Sequence, residues 1–194
     1  MLRRLSLLVA FGLTLAACAP APSSYDTQGG TQVYRISARE AGEIPIRMLD
    51  SVNSLRQASG AAPLQLNSQL NAAAATHSRD MSVQNRPWHF GSDGSSPLDR
   101  ARRAGYSGKF LGENISETYE TELETLAAWM QEPATREVIL NREARELGIS
   151  WFQEASGKIW WTLVTGAPQA QTSFIAEQGF AAPSAPEQIT VSSF

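Results

Sequence analysis

Apolar side chains recur at helical spacing through most of the chain and alternate at strand spacing near its end. Met48, Leu49, Val52 and Leu55 predict a helix from about Pro45 to Ala58, stopped by Gly60. A second helix starts near Ser68 with Asn67 as N-cap, and Leu70, Ala73, Ala74, His77 and Met81 share one face. Asn85–Ser95 is rich in Gly, Pro and Asp and reads as a loop, with Asp93-Gly94 as its turn. Ser96-Pro97 opens a short third helix that Gly105 ends. Residues 108–121 carry no clear period. A fourth helix is expected over Glu122–Gln131, with Leu123, Leu126, Ala127 and Met130 inward, and a further helical turn follows Pro133. Then the period changes to two. Leu147, Ile149 and Trp151 alternate, as do Ile159, Trp161 and Leu163, and Glu154–Gly157 joins them as a hairpin. Two strands alone are marginal, so at least one more is implied, and the whole reads as a layered α+β domain.

The ends differ from this middle. Residues 18–43 are rich in Pro, Ser, Gly, Thr and Gln and read as a flexible tether, with Gln32–Ile36 as a short strand within it. Residues 168–194 read as a disordered Ala/Pro/Ser-rich tail, which leaves 44–167 for the domain. Met1-Leu2-Arg3-Arg4 followed by an apolar run from Leu5 to Leu15 has the form of a signal peptide over residues 1–17. Its end, Leu15-Ala16-Ala17-Cys18, resembles the lipobox of bacterial lipoproteins, which implies acylation of the Cys18 sulfur and a membrane anchor. The resemblance also implies an exported protein. Ala19, standing where an Asp would retain it at the inner membrane, favours the outer membrane facing the periplasm.

Composition narrows the chemistry. The 194 residues carry a formal charge of −3 with no basic run, which argues against nucleic acid as a partner. One Cys excludes an intrachain disulfide, and two His limit any histidine metal site.

A series of short motifs spans the domain. It runs Asn53-x-x-Arg56, His77-Ser78-x-Asp80-Met81, Trp88-His89-Phe90-Gly91-Ser92-Asp93-Gly94, Ala104-Gly105-Tyr106, Gly112-Glu113-Asn114-Ile115, Trp129-x-x-Glu132, Leu140-Asn141, Leu147-Gly148-Ile149 and Trp160-Trp161. In this order they resemble the CAP superfamily, or SCP domain, of cysteine-rich secretory proteins, antigen 5 and group 1 pathogenesis-related proteins, and most nearly its bacterial branch. The resemblance implies an α-β-α sandwich with helices flanking a small antiparallel sheet. It also implies a cavity of two His and two acids, which map to His89, Glu113 and Glu132. The second His belongs thirteen residues before Gly148, where this chain has Thr135. A hydroxyl is a poor zinc ligand, so no cofactor is required and His89 is left as a weak divalent-metal ligand.

Each residue also has a plain structural reading. His89 serves equally as a loop residue bonded to Glu113, and the pair would suit general-base work although no nucleophile stands beside it. His77 reads as packed core or cavity edge. Glu113 and Asn114 suit backbone bonding, and Glu132 suits an exposed helix end. Trp129, Trp151, Trp160 and Trp161 read as core. Arg100, Arg102 and Arg103 read as a solvated basic face, or one that meets anionic lipid or glycan. The functional expectation is a lipid-anchored envelope binding module for a small hydrophobic, glycan or protein ligand. A hydrolase of peptide or cell-wall substrates using His89 and Glu113 is the alternative, and a structural lipoprotein with a vestigial cavity the third.

Overall fold

A computed structural model describes residues 25–28 and 31–169. Cys18, the signal segment and the tail from residue 170 lie outside the described residues. Strands β1 (Tyr25–Gln28) and β2 (Thr31–Tyr34) form an antiparallel pair. Helix α1 (Ala38–Ala58), β3 (Gln65–Leu66), α2 (Ser68–Gln84), α3 (Pro97–Arg103), β4 (Lys109–Ser116), α4 (Glu122–Gln131), α5 (Pro133–Leu140), β5 (Glu146–Gln153) and β6 (Ile159–Ala167) follow. The main sheet has the order β3-β5-β6-β4, antiparallel except for the short β3–β5 pair. Among the described residues no helix is long and apolar enough to cross a membrane.

The period-two strands place alternate residues on opposite faces. Leu147, Ile149, Trp161 and Leu163 meet Ile44, Met48 and Val52 of α1, Leu126 and Trp129 of α4, and Ile139 of α5. On the other face Val164 packs with Leu70, Ala73 and Ala74 of α2 and Ala101 of α3. The expected α-β-α sandwich results. Gly148 lets α2 lie against β5, for a Cβ there would stand 2.2 Å from the Leu70 carbonyl carbon. Asn53 bonds both backbone groups of Leu64. Arg56, fully buried, donates to the carbonyls of Ala62, Ile139, Asn141 and Ala144 at 2.7–3.0 Å.

Several expectations are corrected. The first helix starts at Ala38, not near Pro45, because Ser37 and Glu40 form a capping box and the helix runs on through Pro45. The tether therefore ends earlier than residue 43, and Tyr34 and Ile36 already pack on the core. Residues 109–116 form β4 rather than irregular chain, since their backbone pairs with β6 while polar side chains take specific partners. In α4, Leu123 and Ala127 face outward and Thr125, Leu126 and Trp129 inward, because Glu122 turns in to pair with Arg47 at 2.6 Å. Trp151 is half-buried, while Trp129, Trp160 and Trp161 are core.

Candidate functional site

The site is built where β4 passes between two helices. Glu113, paired with Val164 across the ladder, turns its carboxylate toward α2 and α3. Its side chain is 3% exposed, so it needs a partner, and Arg100 from α3 supplies one. Arg100 Nη2 donates to both carboxylate oxygens at 2.8 and 3.0 Å, and Nη1 donates to the Ser95 carbonyl at 3.0 Å. Arg100 is therefore not part of a solvated basic face. The helix buries this one cation and exposes Arg102 and Arg103, the latter paired with Asp93. Polar spelling hid this. The available signal was a buried Glu in Gly-Glu-Asn that required a cation, with Arg100 on the apolar side of its helix beside Ala101.

His89 comes from the loop after α2. Its Nδ1 lies 2.9 Å from Glu113 Oε1, and half of its side chain is exposed. A charge-paired carboxylate only accepts, so Nδ1 is the donor of this bond. His77 of α2 is fully buried with Nε2 3.7 Å from the same Oε1, and neither of its nitrogens makes a well-formed hydrogen bond. Burial holds its pKa down, against the pull of Glu113, so it is a neutral packed wall. A hollow of about 370 Å³ opens beside Arg100, lined by Ala72, Thr76, Asp80, Asp93 and Arg103.

The remaining predicted residues lie elsewhere. Asn114, next along β4, points to the opposite face and donates to the Thr135 carbonyl at 2.8 Å. The Thr135 hydroxyl donates to the Trp129 carbonyl at 2.7 Å, and Glu132 is an exposed residue at the α4–α5 junction. Thr135 and Glu132 thus approach β4 from the side away from the His89–Glu113 pair.

This donor set does not fit a divalent cation. Both Glu113 oxygens accept from a guanidinium, whose charge opposes any ion placed there, and the Thr135 hydroxyl is turned into its own helix end. Among the described residues no three His, Cys, Asp or Glu side chains cluster as ligands. What the arrangement offers is a carboxylate neutralised by Arg100 beside a half-exposed imidazole.

Comparison with known proteins agrees with this fold. The family model described as the cysteine-rich secretory protein family, CAP, matches residues 49–165. The uncharacterized protein YkwD of Bacillus subtilis is 33% identical over 114 residues, 59% of this chain and 44% of that protein. The chain therefore matches less than half the length of this relative. Among solved structures, an outer surface protein from Borrelia burgdorferi shares the fold with a TM-score of 0.61 at 17% identity. That match covers 71% of this chain and 99% of that one. An extracellular SCP-domain protein from Bacillus anthracis gives 0.59 at 20% identity, covering 70% and 46%. The chain belongs to the CAP family of cysteine-rich secretory proteins.

Proposed function

We propose that this chain is an exported, lipid-anchored CAP-domain protein of the cell envelope that binds a ligand without transforming it. A small hydrophobic, glycan or protein ligand is taken at the half-exposed His89 over Glu113, near the hollow beside Arg100. One observation carries the reading: Glu113 is bound on both oxygens by Arg100 and its side chain is 3% exposed, so its carboxylate is occupied and screened from a substrate. Export accords with relatives named as extracellular or outer surface proteins. The anchor rests on the Leu15–Cys18 sequence.

The test uses muropeptides and a fluorescent fatty acid as probes on the native protein, His89→Ala and Glu113→Gln. Saturable binding of one probe, weakened at least several-fold by His89→Ala and with no turnover, is expected. Muropeptide cleavage by the native protein that Glu113→Gln abolishes would overturn the reading and assign a hydrolase. Calorimetric zinc titration separates a metal-dependent route, and no His89-dependent heat is expected.

A further inference from the structure

Three aromatic side chains, Trp88, Phe90 and Tyr119, are exposed in the loops that follow α2 and β4. Trp88 and Phe90 flank His89 and meet edge to face with centroids 6.1 Å apart. The Arg86 guanidinium lies 3.4 Å over the Trp88 ring. Val83, one turn back on α2, is exposed as well. Tyr119 belongs to the loop after β4, held there by the Trp161 indole donating to its carbonyl at 2.9 Å.

The first described residues connect to these loops. Arg35, just past β2, donates to the carbonyls of Glu154 and Ala155 in the β5–β6 turn, and Gln153 donates to the Tyr34 carbonyl at 2.9 Å. That turn in turn holds the end of α2: Ser82 donates to Glu154 at 2.8 Å and Lys158 to Asn85 at 3.5 Å. Residues 86–90 follow at once. Lys158 also pairs with Glu117, beside Tyr119. The N-terminal strand pair, the turn and the starts of both aromatic loops are therefore linked through Glu154 and Lys158.

Tyr25 stands seven residues after Cys18. Fully extended, that connection spans at most about 25 Å. If Cys18 carries acyl chains, Tyr25 is held within that distance of the bilayer. We infer that the surface of Trp88, Phe90 and Tyr119, with Arg86, rests in the lipid interface as a second contact beside the anchor. Tryptophan and tyrosine rings suit that depth, with an apolar body and a polar tip, and Arg86 meets headgroup phosphates. The contact rests on the lipid-anchor reading above. It also turns the half-exposed His89, between Trp88 and Phe90, toward the membrane, so its ligand would be met at the lipid surface.

The test uses lipidated protein in vesicles of phosphatidylethanolamine and phosphatidylglycerol carrying brominated acyl chains. Indole emission should be quenched in the native protein, and Trp88→Phe should remove at least half of that quenching while the protein stays vesicle-bound. Metabolic palmitate labelling, compared with Cys18→Ser, reads the anchor separately. Labelled protein whose quenching is unchanged by Trp88→Phe overturns the lipid contact and leaves the anchor standing. The same unchanged quenching with muropeptide binding weakened by Trp88→Phe assigns the loop to glycan instead and equally overturns it. If labelling is absent, the anchor fails. The Cys18→Ser chain added to the same vesicles must then show a Trp88-dependent blue shift, or the lipid contact fails too.

Discussion

Replacing Arg100 by Met isolates what the buried ion pair contributes. The side chains of Arg100 and Glu113 are 4% and 3% exposed, so removing the guanidinium strands a carboxylate away from water. Breaking a buried pair from one side costs about 3–5 kcal/mol, and the lost bond to the Ser95 carbonyl adds about 1 kcal/mol. A domain of this size has roughly 5–15 kcal/mol in total, so Arg100→Met should fall near the limit of folding. Glu113→Gln in the same chain removes the stranded charge. The double variant should therefore be more stable than the sum of the single losses by about 2 kcal/mol. Urea unfolding of the four proteins, followed by tryptophan emission, measures the cycle. His89→Ala is the contrast: its half-exposed bond to Glu113 should contribute under about 1 kcal/mol. An Arg100→Met loss under about 1 kcal/mol, or strict additivity in the cycle, would refute Arg100 as the group that neutralises Glu113.

Further outcomes are expected at three buried positions. His77 has a folded-state pKa below its unfolded value, so its contribution to stability is held above about pH 6.5 and lost as pH falls toward the folded value. Unfolding free energies between pH 7.5 and 5 should show this loss, at most about 1.4 kcal/mol per pH unit, and His77→Gln should lack that component. Gly148→Ala forces a methyl into the Leu70 backbone and should cost at least about 2 kcal/mol, read as a lowered melting temperature. Arg56→Lys leaves carbonyls unmet that only a forked guanidinium reaches, and should cost about 2–4 kcal/mol in urea unfolding.

How far each part could be read from the sequence follows from what holds it. Helix α2 and the β5–β6 hairpin were legible because apolar contacts hold them, and apolar contacts leave a period. Strand β4 was not, because Glu113 pairs with Arg100 and the Asn114 amide donates to the Thr135 carbonyl, partners that no local pattern announces. The start of α1 was hidden by Pro45, which reads as a helix opening until the capping box upstream is seen. Within the site, His89 and Glu113 stood out through ordered motifs, whereas Arg100 was concealed among three arginines of which only one is buried. Thr135 and Glu132 were grouped with them by family spacing, but the strand pleat sends Asn114 and its Thr135 partner to the other face of β4.

Arg56 has a consequence for how the domain opens. Its charge meets four carbonyls, drawn from the chain after α1, the end of α5 and the turn before β5. None of these segments can fray alone without stripping partners from a cation that water does not reach. Amide hydrogens across all three should then exchange with solvent at one shared, slow rate set by whole-domain opening. The sandwich would behave as a single cooperative block, clasped at one end by a side chain whose charge is met by backbone carbonyls.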